Sequence, residues 1–212
     1  MTRTKIEWCD YTWNPVVGCT GGCPYCYAQR IATRFHWDFT PHWVESAFQK
    51  RLPSKAARIF VNSMSDVADW EPIWFSRVDM KMRKHLEHTF LMLSKRTWKL
   101  GWVNLSSNTM LGYSVTRQAD LDALLLNGGP GNVSFLSIEP LLDRVEEPTL
   151  WTPKWIIVGA ETGNRKWRVV PKFSWLTEIR DFALMRSIPL FFKESLRSLW
   201  TADGYFPQEY PG

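Results

Sequence analysis

The sequence predicts an α/β protein in the form of a partial (incomplete) β/α barrel of about six to seven parallel strands. Three observations predict it. Short apolar, β-branched or aromatic runs recur along the 212 residues, with helix-period segments or long connections between them. Several of those runs stop at polar or charged residues, and parallel α/β folds bind ligands at the C-terminal ends of their strands. The length suits one sizeable core, so residues 1–212 are read as a single domain.

Taken in order, Thr12 to Gly18 reads as a first strand running into a cysteine loop over residues 18–27, and Tyr27 to Trp37 as a helix. Ile59 to Asn62 is a short strand ending in Ser63-Met-Ser-Asp66. A helix from Ile73 to Glu87 follows, with Trp74, Val78, Met82 and Leu86 on one stripe. Thr89 to Leu93 is a strand ending in Ser94-Lys95-Arg96, and Trp98 to Asn108 is irregular. Leu111 to Val115 is a strand, and Leu121, Leu124 and Leu125 share a helix face after it. Val133 to Ile138 leads to Glu139, Trp155 to Val158 leads to Gly159-Ala-Glu161, and Pro189 to Phe192 leads to Lys193. A helix over Ser174 to Arg186 places Trp175, Ile179, Phe182 and Arg186 in register. The tail, residues 201–212, reads as loop.

Thirteen tryptophans and twelve phenylalanines are many for this length; most are expected in the core, and some can offer platforms for a planar ligand. A net charge of +5 is compatible with a phosphate-bearing partner and common on solvated surfaces too. The N-terminus lacks the apolar region of a secretory signal, and no run approaches the roughly 20 apolar residues that span a bilayer. The expectation is a soluble, cytoplasmic protein without membrane contact. Three of its four cysteines fall within eight positions, which in a reducing compartment reads as metal or redox use rather than disulfides.

Those three are Cys19, Cys23 and Cys26 in Gly18-Cys-Thr-Gly-Gly-Cys-Pro-Tyr-Cys-Tyr27. Three thiolates on one short loop can hold three irons of a four-iron, four-sulfur cluster and leave the fourth open to bind and reduce something. A cluster closed by four cysteines mainly carries electrons. Zinc is the competing reading, with Cys9 as the fourth thiolate, but only one tight C-x2-C pair is present and Cys9 precedes a strand.

C-x3-C-x2-C with an aromatic residue before the third cysteine resembles the cluster motif of the radical S-adenosylmethionine superfamily. More narrowly, Thr4-Lys-Ile-Glu-Trp8, Thr12-Trp-Asn-Pro15, the cysteine loop, Ser63-Met-Ser-Asp66, Leu93-Ser-Lys-Arg96, Ser137-Ile-Glu-Pro140, Val158-Gly-Ala-Glu-Thr-Gly163 and Phe191-Phe-Lys193 resemble its phage-associated three-cysteine family, whose substrate is largely undefined. The resemblance runs from the N-terminus to about Lys193. It implies a partial barrel of the radical S-adenosylmethionine type. It also implies a [4Fe-4S] cluster on Cys19, Cys23 and Cys26, with S-adenosyl-L-methionine at the unique iron and Tyr25 against its adenine. Ser63, Met64 and Asp66 fall where the superfamily meets the methionine amino group, and Ser114 and Thr116 where it meets ribose. Glu139 and Glu161 are candidates for ribose or substrate, and Arg96 or Lys95 for the methionine carboxylate or a substrate phosphate.

Cys9 stands where the family more often has a small polar residue. It is a candidate thiol hydrogen-atom donor or radical quencher, and the preferred reading is a small buried residue. His36, His42, His85 and His88 show no ligand spacing tied to the cysteines. His85 and His88 are placed at a helix end, with no catalytic role. Gly128-Gly-Pro-Gly131 lacks the Lys-Ser/Thr of a phosphate loop and reads as a turn.

The leading expectation is a radical S-adenosylmethionine enzyme that modifies or repairs a nucleobase or nucleotide in phage or prophage DNA within a bacterial host. A pyrimidine is the first guess, because the related spore photoproduct lyases act on thymine. It needs an external electron donor of the flavodoxin or ferredoxin type, and an open barrel admits either DNA or a partner protein that closes it. The alternatives are an iron–sulfur electron-transfer protein without radical chemistry and a zinc-stapled nucleic-acid-binding module.

Overall fold

In the computed structural model, residues 1–146, 151–163, 165–202 and 204–212 are described. The chain divides into two compact units, Met1–Ser94 with Trp102–Leu111, and Lys95–Gly101 with Gly112–Gly212.

The first unit holds strands β1 (Thr2–Arg3), β2 (Tyr11–Thr12) and β3 (Val16–Val17), helix α1 (Tyr27–Arg34), strand β4 (His42–Trp43), the single-turn helix α2 (Glu45–Phe48), strand β5 (Arg58–Phe60), helix α3 (Pro72–Arg83) and strand β6 (Thr89–Ser94). Its last element is the start of β7 (Thr109–Val115), beside β6. β1 is antiparallel to β2, whereas β2, β5 and β6 run parallel, with Thr12 opposite Phe60 and Ile59 opposite Phe90. β3 and β4 form a separate antiparallel pair. The strand expected over Thr12 to Gly18 is therefore two short strands. Pro15 has no N–H to give to a ladder, and the Asn14 side chain is bound to Ser63 and Met64 instead.

Pro72 at its first turn and Lys81 and Arg83 in its last suit α3 to its ends. Phe75, Val78 and Met82 are its buried face. The stripe expected to reach Leu86 stops short, because the helix ends at Arg83 and leaves Leu86 66% exposed. Trp8 and Trp13 are fully buried; Trp8 packs 4.8 Å from Phe60, and Trp13 donates its indole N–H to the Ala47 carbonyl at 3.0 Å.

The second unit holds the rest of β7, helix α4 (Gln118–Leu126), strands β8 (Val133–Ile138) and β9 (Ile156–Val158), helix α5 (Phe173–Met185) and strand β10 (Leu190–Phe192). Its strands succeed one another in the order β7, β8, β9, β10, and β8, β9 and β10 run parallel. Leu121 and Leu124 of α4 and Leu176, Ile179 and Phe182 of α5 pack with Val158, Leu190 and Phe192 in one apolar cluster. The described part of the tail is more than loop: Gln208 bridges antiparallel to Phe191, Glu209 donates its N–H to the Leu190 carbonyl at 2.9 Å, and Tyr210 packs on Trp155 and Phe191.

Each unit is mixed α/β with parallel strands. No helix among the described residues is long and apolar enough to cross a membrane.

Candidate functional site

The cysteine loop leaves β3 through Gly18, whose N–H donates to the Met64 carbonyl at 3.0 Å and which bridges in parallel to Ser65. Gly18 has φ +99°, and a Cβ there would stand 2.2 Å from the Thr40 carbonyl oxygen, so only glycine fits. The loop is thereby fixed beside the turn that follows β5. Asn14 sets that turn, accepting from the Met64 N–H at 3.1 Å and exchanging hydrogen bonds with the Ser63 hydroxyl. The Tyr27 hydroxyl donates to the Ser63 carbonyl. Asp69 accepts from both the N–H and the hydroxyl of Thr20, at 3.0 and 2.9 Å.

Within this frame Cys19, Cys23 and Cys26 are all half-buried and none is in a disulfide. The Gly21 N–H donates to Cys19 Sγ at 3.2 Å, and the Gln29 N–H to Cys26 Sγ at 3.4 Å. Cys26 is thus the N-cap of α1, with its sulfur facing the helix N-terminus. The Cys19 and Cys23 sulfurs both reach the space where a Gly21 side chain would begin, at 3.2 and 3.8 Å. Tyr25 lies half-buried between the last two cysteines.

The three thiolates share one loop, but they are not gathered into a clear metal-binding arrangement. Tetrahedral zinc with bonds of about 2.3 Å would bring its sulfurs about 3.8 Å from one another. The three cysteine sulfurs do not all lie within 4.8 Å of one another, and thiolates are donors that suit iron–sulfur clusters and zinc alike. Cys9, the fourth thiolate of a zinc site, is 6% exposed and directs its thiol to the Ile6 carbonyl at 3.8 Å.

Ser63 and Met64 are half-buried beside the loop. Asp66 is 8% exposed, caps the turn Val67–Asp69 through the Ala68 N–H at 2.9 Å and accepts from the Ser94 hydroxyl at 2.7 Å. The structure thus brings the cysteines, Tyr25, Ser63, Met64 and Asp66 into one unit.

Arg96, Ser114, Thr116, Glu139 and Glu161 belong to the other unit. Arg96 is half-buried before the turn Thr97–Leu100, and Ser114 is half-buried on β7. Thr116 is 3% exposed and gives its N–H and hydroxyl to Asp120, both at 2.6 Å, which secures the start of α4. Glu139 pairs with Lys193. Gly159 lies against both, since a Cβ there would meet Lys193 Cδ at 3.0 Å and Glu139 Cγ at 3.2 Å. Glu161 accepts from Arg165 Nε and Nη2, at 2.5 and 2.7 Å. The Arg165 hydrogen bonds hold the Glu161 carboxyl below its ordinary range.

Sequence reasoning missed Asn14, Tyr27 and Asp69 as the residues that hold the loop. Each acts on a partner 36 to 50 positions away, so no local pattern announces it.

A mixed α/β chain with a three-cysteine loop after a short strand defines the class. Within it, the chain belongs to the family described as Protein of unknown function (DUF5131), which it matches over residues 3–200. Comparison with curated proteins and with solved structures finds no match.

Proposed function

We propose that this chain is a radical S-adenosylmethionine enzyme that modifies or repairs a nucleobase or nucleotide, in phage or prophage DNA. The observation that carries the reading is the loop itself: three half-buried, unbridged cysteines in the C-x3-C-x2-C spacing. Cys19, Cys23 and Cys26 would hold a [4Fe-4S] cluster in a partial barrel of the superfamily type, with S-adenosyl-L-methionine at its fourth iron. When bound and reduced by an external one-electron donor, the cluster would supply the electron for cleavage of the sulfonium C–S bond, which yields methionine and a 5′-deoxyadenosyl radical able to abstract hydrogen.

The chain's own residues hold and dress the site. Asn14, Tyr27 and Asp69 fix the loop, and the N–H groups of Gly21 and Gln29 stabilise charge on the sulfurs they touch. Tyr25 supplies an aromatic face for adenine, and Ser63, Met64 and Asp66 line the adjoining turn. The nucleic-acid part of the reading rests on the +5 charge and on the exposed Phe35–Trp37 stack at the end of α1, with Arg34 over Phe35.

Anaerobic reconstitution followed by incubation with a reductant and S-adenosyl-L-methionine tests the proposal. Release of 5′-deoxyadenosine by the wild type, and its loss in Cys23→Ser, are expected. No release with any nucleotide or DNA substrate contradicts it.

A further inference from the structure

We propose a second metal site, independent of the cysteine loop, at the turn between α3 and β6, where His85, Glu87 and His88 bind one zinc-like divalent cation. Among the described residues these are the three whose ligand atoms gather within 4.8 Å of one another. His85 Nδ1 stands 3.0 Å from Glu87 Oε1, and His88 Nε2 stands 3.5 Å from the same oxygen. Bonds of about 2.0 to 2.1 Å to a tetrahedral ion put its ligands about 3.4 Å apart, so both separations already match an edge of that polyhedron.

His88 supplies the independent observation. Its side chain is fully buried, yet neither ring nitrogen has a hydrogen-bond partner among the described residues, and Nε2 faces the Glu87 carboxylate. Buried imidazole nitrogens are ordinarily hydrogen-bonded, and a bound cation at Nε2 is one partner that would satisfy it. The backbone around the ligands is prearranged. The Asn108 side-chain amide donates to the carbonyls of Met82, His85 and His88 at 3.2, 3.0 and 3.2 Å, closing the turn on which the two imidazoles stand.

Two imidazoles and one carboxylate select a borderline cation of the zinc type over calcium or magnesium, which prefer all-oxygen shells. His85 and Glu87 are 38% and 50% exposed, so the ion would enter from solvent and keep water at its fourth position. Bound there, it would tie the end of α3 to the start of β6.

The test is zinc titration against a chromophoric chelator in the full chain carrying Cys19→Ser, Cys23→Ser and Cys26→Ser, so that thiolates do not compete. One equivalent is expected to bind, with affinity falling at least tenfold when Glu87→Gln or His85→Ala is added; both positions are solvent-facing, so neither change empties the core. A parallel measurement avoids the cysteine substitutions: the wild-type chain should bind one more zinc equivalent than its Glu87→Gln variant. Binding unchanged by both Glu87→Gln and His85→Ala, or no equivalent that survives loss of the thiolates, overturns the proposal without touching the reading of the cysteine loop.

Discussion

Gly18 sits against the backbone of Thr40 so closely that any side chain would begin 2.2 Å from the Thr40 carbonyl oxygen, with the backbone held at φ +99°. Backbone cannot swing aside as a side-chain tip can. Gly18→Ala combines an unfavourable φ, costing about 1–3 kcal/mol, with a backbone displacement. Urea unfolding should show a loss of at least about 3 kcal/mol, or a loop that no longer retains iron.

Asn14 answers for the turn beside the cysteines. Its side chain satisfies the Met64 N–H and the Ser63 hydroxyl, so Asn14→Ala leaves both in want of a partner. Unfolding by denaturant should register a loss of about 1–3 kcal/mol. Asn14→Asp retains the acceptor for Met64 and should lose less.

The Glu161–Arg165 pair makes a definite pH prediction. Arg165 lowers the carboxyl below its ordinary value of 4.5, so the folded state binds that proton less readily than the unfolded chain does. The stabilisation is fully present above about pH 4.5 and fades as pH falls through the lower folded value. Glu161→Gln should therefore flatten the acid limb of the stability profile and change little in its shape near neutrality.

Tyr205 titrates at the opposite end. Its hydroxyl donates to Glu209 at 2.6 Å, and that hydrogen bond pushes the phenol up to about 12. The neutral phenol is the favoured form, so this contribution is complete below about pH 10 and is lost as pH rises through about 12. Alkaline difference spectra should show a late-ionising phenol that is lost in Tyr205→Phe, and Glu209→Gln should move it back toward 10.

Much of the strand pattern was legible from apolar runs: β8 occupies Val133–Ile138 as read. Helix ends were less so. α1 stops at Arg34 rather than Trp37, because His36 turns into the left-handed region at φ +55°. Trp37 then donates to the Ala32 carbonyl and His36 to that of Thr33, a stop usually announced by glycine. Ser187 does the same after α5, at φ +52°. The cysteine loop was visible because its spacing is local. Its supports were not, because Asn14, Tyr27 and Asp69 meet their partners only when distant segments fold together. The His85–Glu87–His88 group escaped notice for a related reason: the sequence places its members near a helix end, and only the turn closed by Asn108 draws them together.

Whether Cys19, Cys23 and Cys26 hold a cluster is decided by iron and sulfide analysis of the anaerobically purified chain, with electron paramagnetic resonance of its reduced form before and after adding S-adenosyl-L-methionine. Expected are about four irons per chain, a signal that S-adenosyl-L-methionine alters, and retention of both in Cys9→Ser but not in Cys19→Ser, Cys23→Ser or Cys26→Ser. An iron-free chain, or a cluster whose signal the sulfonium compound leaves unchanged, would contradict the proposed function.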